Sequence, residues 1–251
     1  MNKERKRYLI ISADDFGLVP SVTAGILYGL SNGAITETNC ITTSTYCAEA
    51  TMLAKKHHLT HMGIHLNLEI GHACSDGSAL PNKQLLRGTT AYYQWVEQEF
   101  IAQCNWLIEQ GITLTHLTYH KEIIIDVKMA QIIGRIAKLF GVPVRRVANQ
   151  QLNTFLTGMH IDMPDERIAN TGGRDYSFTY LQDKLQEASE KNHTVVEVIC
   201  HPGYLSEELK QVSSLNEGRV LDLKLFTDPK TICMIEEEGY ILQNYLILGD
   251  K

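Results

Sequence analysis

Strand-like and helix-like segments alternate from one end of this 251-residue chain to the other. This order predicts a parallel sheet covered by helices, and the number of strands favours an irregular barrel over an open doubly wound sheet. The predicted strands are Arg7–Ala13, Glu37–Thr43, Met62–Leu68, Thr113–Tyr119, Val142–Val147, Thr194–Cys200 and Tyr240–Ile247. The predicted helices are Pro20–Ser31, Ala48–His57, Tyr92–Glu109, Val127–Phe140, Ser177–Lys191, Arg219–Phe226 and Pro229–Glu237.

Two predicted connections, residues 71–90 and 148–173, are longer than ordinary loops. Long loops beside the carboxyl ends of strands commonly form the walls of substrate sites. The chain has no internal repeat and no linker-like segment. A chain of this length is long enough for one large core, so we expect a single domain over residues 1–251.

Composition and missing motifs argue against several classes of protein. The net charge is −6 and the basic residues form no long run, which argues against a nucleic-acid partner. No Gly-x-Gly-x-x-Gly follows the first strand and no Gly-Lys-Ser/Thr loop occurs, which argues against dinucleotide and P-loop sites. The sequence shows neither an apolar stretch of spanning length nor a cleavable signal pattern, so we expect no membrane partner and a cytoplasmic location.

Polar side chains collect at the ends of four predicted strands. Asp14 and Asp15 follow the first strand, His120 and His201 follow two others, and His65 lies within the third strand. The carboxyl ends of parallel strands meet at one edge, where ligand sites of α/β folds gather. We therefore expect these five side chains to lie close together.

This residue set is typical of a hydrolase. One carboxylate and two imidazoles with open coordination positions match a catalytic divalent-metal site. A second carboxylate can take a proton from water at the metal, and a histidine across the pocket can give one to a leaving group. Mixed oxygen and nitrogen ligands suit zinc, manganese, cobalt and, less comfortably, magnesium, so they leave the metal open.

Four short motifs carry a family resemblance that spans nearly the whole chain. They read Ala-Asp-Asp-Phe-Gly at 13–17, Gly-Ile-His-Leu-Asn-Leu at 63–68, Cys-His-Pro-Gly-Tyr at 200–204 and, more weakly, Arg-Val-Leu-Asp-Leu at 219–223. In these motifs the chain resembles the YdjC-like carbohydrate deacetylases, which include the chitooligosaccharide deacetylases.

The resemblance implies an α/β fold of the distorted TIM-like (β/α) barrel type. It implies that Asp15, His65 and His120 bind one divalent metal ion, Mg or Zn, with Mn or Co as alternatives. It also implies that Asp14 is the general base and His201 the general acid. A homodimer is a further expectation from the family.

The third motif departs from the family pattern. The family usually reads Asp-Ser-His-x-His, whereas this chain reads Thr-Tyr-His-Lys-Glu at 118–122. Thr118 replaces an acidic residue and Glu122 replaces a second histidine, so support of the metal, substrate choice or activity itself would differ. Arg145 and Arg146 stand where the family often places a substrate-facing basic residue, and they are the candidate substrate-binding residues; a solvated strand end is the alternative.

We therefore predict metal-dependent removal of an acetyl group from a small N-acetylated sugar or chitooligosaccharide, with release of acetate. One alternative is a non-catalytic, regulatory sugar-binding protein that lost turnover through changes such as Thr118 and Glu122. Another is a different metal-dependent amidase or a phosphoesterase, although the scarcity of clustered Lys and Arg near the motifs argues against phosphate esters. The sugar and its chain length depend on loop shapes that the sequence does not reveal.

Overall fold

The strands form one sheet in which every pairing is parallel. The computed structural model describes residues 6–169 and 177–249. Its strands are β1 (Arg7–Phe16), β2 (Glu37–Cys40), β3 (His61–Leu66), β4 (Thr113–Tyr119), β5 (Glu166–Ile168), β6 (Val195–Cys200) and β7 (Tyr240–Leu242). The order is β4-β3-β2-β1-β6-β5, and β7 pairs with the start of β1.

Helices surround this sheet. They are α1 (Pro20–Asn32), α2 (Cys47–Lys56), α3 (Thr90–Glu109), α4 (Val127–Phe140), α5 (Gln150–Gly158), α6 (Phe178–Glu190), α7 (Glu207–Val212), α8 (Glu217–Thr227) and α9 (Pro229–Glu237). Within the described ranges, β4 and β5 stand at the two ends of the strand order and do not pair with each other. The fold is therefore α/β, a distorted TIM-like barrel as predicted, and the structure adds that its sheet does not close within the described residues. No helix in the part of the chain that the structure describes has the length and apolar character needed to cross a bilayer.

Strand β1 is at the centre of the sheet because it is apolar on both faces. Leu9, Ile10 and Ile11 are all fully buried, as expected for a parallel strand covered on two sides. Strand β6 pairs along one edge of β1, from Tyr8 to Ala13, while β7 and then β2 pair along the other. The carboxyl end of β1 thus lies in the middle of the edge where ligand sites of α/β folds form.

Helix α4 shows how local sequence sets an element's bounds. The Asp126 carboxylate accepts a hydrogen bond from the Met129 N–H at 2.8 Å and caps the helix, and Gly141 ends it with a left-handed φ of 67°. Ile132, Ile133 and Ile136 form its buried face. The predicted bounds of this helix are confirmed.

Two predicted strands differ from the structure. In the segment 142–147, only Val144 forms an isolated bridge, with Leu117 of β4. Pro143 has no N–H to donate, so its backbone offers only the carbonyl that accepts the Leu117 N–H at 2.9 Å. The last predicted strand ends at Leu242, and residues Tyr245–Leu248 form a 3₁₀ helix instead.

The two long connections also differ from each other. The predicted loop 71–90 contains no helix or strand up to residue 89 beyond a single bridge between His72 and Ala79, and Thr90 begins α3. The predicted loop 148–173 instead contains α5 and the three-residue strand β5, and its residues 170–173 lie outside the described residues. The short helix α7 was not predicted either.

Candidate metal centre

The end of β1 carries two carboxylates in an irregular turn. The register between β1 and β2 shifts between Ala13 and Phe16, and Asp15 has a φ of 72°, in the left-handed region that favours glycine. Strain of this kind is common at functional sites, and a bulge redirects the side chains that it carries. Asp14 and Asp15 are both buried.

Asp15, His65 and His120 form a cluster that we call the central cluster. One ligand atom from each lies within 4.8 Å of the others. Asp15 Oδ1 is 3.5 Å from His65 Nε2 and 3.2 Å from His120 Nδ1. A carboxylate oxygen and two imidazole nitrogens that converge in this way match the donor set of a catalytic divalent-metal site, so these residues fit such an ion.

Thr118 fixes the tautomer of His65. Its hydroxyl lies 2.8 Å from His65 Nδ1 and 2.9 Å from the carbonyl oxygen of Ile64. A hydroxyl has a single proton, which Thr118 donates to the Ile64 carbonyl, so its lone pair accepts the N–H of His65 Nδ1. His65 Nε2 is then left with a lone pair that faces Asp15. Thr118 therefore orients His65 although it is not acidic.

Arg219 holds the other oxygen of Asp15. Its Nη2 donates to Asp15 Oδ2 at 2.5 Å, and both side chains are buried. Burial by itself would raise the pKa of the Asp15 carboxyl, but Arg219, His120 and His65 together hold that pKa well below its usual range. Asp15 is thus an anion whose Oδ1 faces the two imidazoles.

Asp14 is held on both of its oxygens. Arg145 Nη1 donates to Asp14 Oδ2 at 2.6 Å and Arg145 Nη2 to Oδ1 at 2.9 Å, while Asn39 Nδ2 donates to Oδ1 at 2.7 Å. Burial alone would raise the pKa of Asp14, but the charges of Arg145, His65 and His201 lower it far below its usual value. Asp14 is therefore ionised at neutral pH.

His201 approaches the same oxygen of Asp14 as His65 does. Its Nε2 is 3.9 Å from Asp14 Oδ2, and its backbone N–H donates to Asp222 Oδ2 at 2.7 Å. Burial lowers the pKa of His201, while Asp15 and Asp14 act in the opposite direction. Helix α1 packs closely against the segment that follows His201, because a Cβ atom added at Gly25 would lie 2.6 Å from Gly203 Cα.

The central cluster, Asp14 and His201 line one cleft of about 420 Å³. We call it the central cleft, and its size falls within the usual range of about 300–1,000 Å³ for small-molecule sites. Its walls come from Glu69 and Ile70 after β3 and from residues 213–215 after α7, together with Val212 at the end of that helix. The structure thus brings together the five side chains that the sequence analysis selected.

The two arginines predicted to face substrate lie elsewhere. Arg145 is 1% exposed, lies beneath Asp14, and also donates to Glu197 Oε1 at 2.9 Å. Arg146 donates to the Pro164 carbonyl at 3.4 Å and to Gln150 Oε1 at 3.0 Å. Neither is among the described residues that line the central cleft. Contact of either arginine with substrate stays a prediction. What the structure shows for Arg145 is its contact with Asp14.

Glu122 and two residues of the motif at 219–223 each have defined contacts in the structure. Glu122 Oε1 accepts a hydrogen bond from Arg167 Nη1 at 2.7 Å, outside the central cluster. Arg219 and Asp222, for which no role was predicted, contact Asp15 and the His201 backbone. Their spacing was a usable signal, because residues three apart on a helix share one face.

The chain is similar to a known protein family. Residues 8–237 match the profile of YdjC-like proteins. A carbohydrate deacetylase from Geobacillus stearothermophilus is 29% identical over 245 residues, which are 95% of this chain and 97% of that protein. A second carbohydrate deacetylase, from Halalkalibacterium halodurans, is 29% identical over 232 residues, covering 87% and 94% of the two chains.

A solved structure shares the fold. A protein from Enterococcus faecalis V583, described as a cellobiose-phosphate cleavage protein, superposes with a TM-score of 0.84 at 24% identity. The match covers 97% of this chain and 99% of that one. At this identity the likeness shows the fold, which agrees with the unclosed parallel barrel described above.

Proposed function

Because the chain belongs to the YdjC-like protein family, we propose that it is a metal-dependent carbohydrate N-deacetylase. Water would add to the acetamido carbonyl of an N-acetylated sugar or chitooligosaccharide, the C–N bond would break, and acetate and an amine would leave. The observation that carries the proposal is the convergence of the central cluster, Asp14 and His201 on one cleft. The curated relatives support the same reaction.

The central cluster would hold the metal through Asp15 Oδ1, His65 Nε2 and a His120 ring nitrogen. A divalent cation bound there supplies Lewis-acid polarisation of the carbonyl and makes water more acidic. Magnesium, zinc, manganese and cobalt remain candidates, because the donor set of two nitrogens and one oxygen does not choose among them. Arg219 and Thr118 would orient Asp15 and His65 for this task.

Asp14 would act as the general base. It is ionised, and its Oδ2 faces both His65 Nε2, at 3.8 Å, and His201 Nε2, at 3.9 Å. The two hydrogen bonds from Arg145 and the one from Asn39 fix the carboxylate in place. A positioned base of this kind takes the proton of the attacking water.

His201 would act as the general acid that gives a proton to the leaving nitrogen. Its side chain is 30% exposed at the cleft, so substrate can reach it; burial lowers its pKa overall, and Asp15 and Asp14 partly oppose this by favouring the charged form. The hydrogen bond from its backbone N–H to Asp222 fixes the segment that carries it.

The structure favours this reaction over cleavage of phosphate esters. Arg145 and Arg219, two guanidinium groups in contact with the carboxylates of the site, are each paired with a buried carboxylate, Asp14 and Asp15. Because each guanidinium is already paired with a carboxylate, it would attract a phosphate group less strongly. The same pairing keeps both carboxylates ionised, as base catalysis and metal binding require.

Acetate release tests the proposal directly. The purified chain is stripped with a chelator, reloaded with Mg²⁺, Zn²⁺, Mn²⁺ or Co²⁺, and incubated with N-acetylglucosamine or N,N′-diacetylchitobiose. We expect acetate with at least one metal and none from the Asp14→Asn variant on the same timescale. Absence of acetate from every N-acetylated sugar with every metal would overturn the proposal, and tight binding of intact sugar would then favour a sugar-binding protein.

A further inference from the structure

A histidine that takes no part in the central cluster is buried in β4. His116 is fully buried, and it is not among the described residues that line the central cleft. Burial and the charge of Arg145 hold the pKa of His116 well below its usual range, so the ring is neutral and carries one proton. A neutral imidazole donates a hydrogen bond through one nitrogen and accepts through the other. The position of that proton therefore decides which neighbour His116 can bind.

The ring of His116 is held in one orientation. It stacks on the ring of Tyr245, with centroids 3.6 Å apart and an angle of 4° between the planes, and Tyr245 is itself fully buried. His116 Nδ1 lies 2.9 Å from Thr115 Oγ1 and 4.0 Å from Glu37 Oε2. The Thr115 hydroxyl can donate to Nδ1, which leaves the proton of the ring on Nε2.

The amide of Asn39 also has one favourable orientation. Its Nδ2 donates to Asp14 Oδ1 at 2.7 Å and to Ser12 Oγ at 2.8 Å. The flipped amide would place Oδ1 against the negative charge of Asp14, so Nδ2 faces Asp14 and Oδ1 faces away from it. Asn39 is fully buried, and an amide oxygen can only accept, so Oδ1 needs a donor from the protein interior.

Gly63 brings the oxygen of Asn39 and the free nitrogen of His116 together. A Cβ on Gly63 would lie 2.3 Å from Asn39 Oδ1 and 2.5 Å from His116 Nε2, so the two atoms are close neighbours on either side of that position. In the part of the chain that the structure describes, neither atom has a hydrogen-bond partner. A buried donor or acceptor without a partner is costly. Each atom supplies what the other lacks when His116 carries its proton on Nε2.

We propose that His116 is a positioning residue for Asp14 and acts through Asn39. The Nε2–H of His116 donates to Asn39 Oδ1, and Asn39 Nδ2 donates to Asp14 Oδ1. Hydrogen bonds in such a chain polarise one another, so His116 strengthens the bond that fixes the carboxylate. The inference rests on the proposed role of Asp14 as the general base.

Two substitutions of His116 separate the hydrogen bond from the packing. His116→Gln keeps an N–H donor of similar reach but loses the ring, whereas His116→Phe keeps a ring that can stack on Tyr245 but has no donor. We expect kcat for acetate release from the metal-loaded chain to fall by about tenfold in the phenylalanine variant. The glutamine variant should stay close to the unmodified chain. KM and metal content should change in neither, and urea denaturation shows that both variants fold.

A role in packing alone predicts the opposite order, because only phenylalanine preserves the stack. That order, or equal kcat values in the two variants, would overturn the proposal. A double-mutant cycle tests the route through Asn39. In the Asn39→Ala background, His116→Phe should lower kcat no further, because the connecting amide is already absent. Additive losses would show that His116 does not act through Asn39.

The tautomer of His116 is measured without turnover. NMR of the ring nitrogens at neutral pH, with the His116 signals assigned from their loss in His116→Gln, should show the proton on Nε2 and none on Nδ1. A proton on Nδ1 overturns the proposal even where a variant fails to fold. A proton on Nε2 in a chain that releases no acetate would instead overturn the deacetylase function and leave the hydrogen bond to Asn39 standing.

Discussion

Arg145 binds Asp14 through both of its terminal nitrogens, at 2.6 and 2.9 Å, and both side chains are buried. A third contact, from Arg145 Nε to Glu197 Oε1 at 2.9 Å, fixes the plane of the guanidinium. Charge-assisted pairs of this planar kind give geometric specificity as well as energy. The orientation of the proposed base therefore depends on an arginine that does not line the central cleft.

Replacing this arginine should damage both activity and folding. Arg145→Ala leaves Asp14 and Glu197 buried without their cation, which costs about 3–5 kcal/mol of unfolding free energy. Arg145→Lys keeps the charge but cannot form the planar pair, so we expect a smaller stability loss and turnover reduced by about 100-fold. Urea denaturation and acetate release check the two effects. Full activity of Arg145→Lys would show that the paired geometry is not needed.

Single substitutions should distinguish the residues that bind the metal from those that transfer protons. Asp15→Ala, His65→Ala and His120→Ala each remove one of the proposed metal ligands, so metal content should fall. Asp14→Asn and His201→Ala should keep the metal while turnover drops by about 100-fold or more. Elemental analysis and acetate release are measured on all five variants. If His120→Ala binds metal as the unmodified chain does, the assignment of the third ligand is wrong.

Variants of Thr118 test whether its hydrogen bond to His65 contributes to metal affinity. Thr118→Val keeps the shape but removes the hydroxyl that accepts the His65 Nδ1 proton, so His65 can adopt the other tautomer. We expect metal affinity to fall by about 10- to 100-fold, the usual effect of losing such a partner. Thr118→Ser retains the hydroxyl and is the control. Equal metal affinity in the valine and serine variants would contradict the orienting role.

Glu37 should make stability depend on pH. Burial, and to a lesser extent Glu197, raises the pKa of Glu37 from 4.5 to about 8, although a hydrogen bond from the Thr38 N–H opposes the shift. Between these pH values the folded chain holds a proton that the unfolded chain has released, so this group lowers stability as pH rises towards 8. Glu37→Gln removes that contribution. Urea denaturation should show the variant gaining stability relative to the unmodified chain from pH 5 to pH 8, and a constant difference would refute this.

Much of the site was predictable because parallel strands end at one edge. Asp14 and Asp15 on β1 and His65 on β3 lie at the same edge of the sheet with only β2 between the two strands, so their meeting follows once the strands are recognised. The pair of Arg145 and Asp14 was not predictable, because 131 residues separate the two and Arg145 lies in a segment with one isolated bridge. Strand β5 was missed since three residues give no periodicity. The single domain, the cytoplasmic location and the homodimer stay predictions.

Helix α8 contacts two parts of the site through residues that are one helical turn apart. Arg219 contacts Asp15, and Asp222 contacts the backbone of His201. Local unfolding of this one helix would therefore break both contacts in a single event and free Asp15, a proposed metal ligand, together with the segment of His201, the proposed acid. We expect activity on heating to be lost when α8 opens, and amide hydrogen exchange along Glu217–Thr227 to follow the same opening.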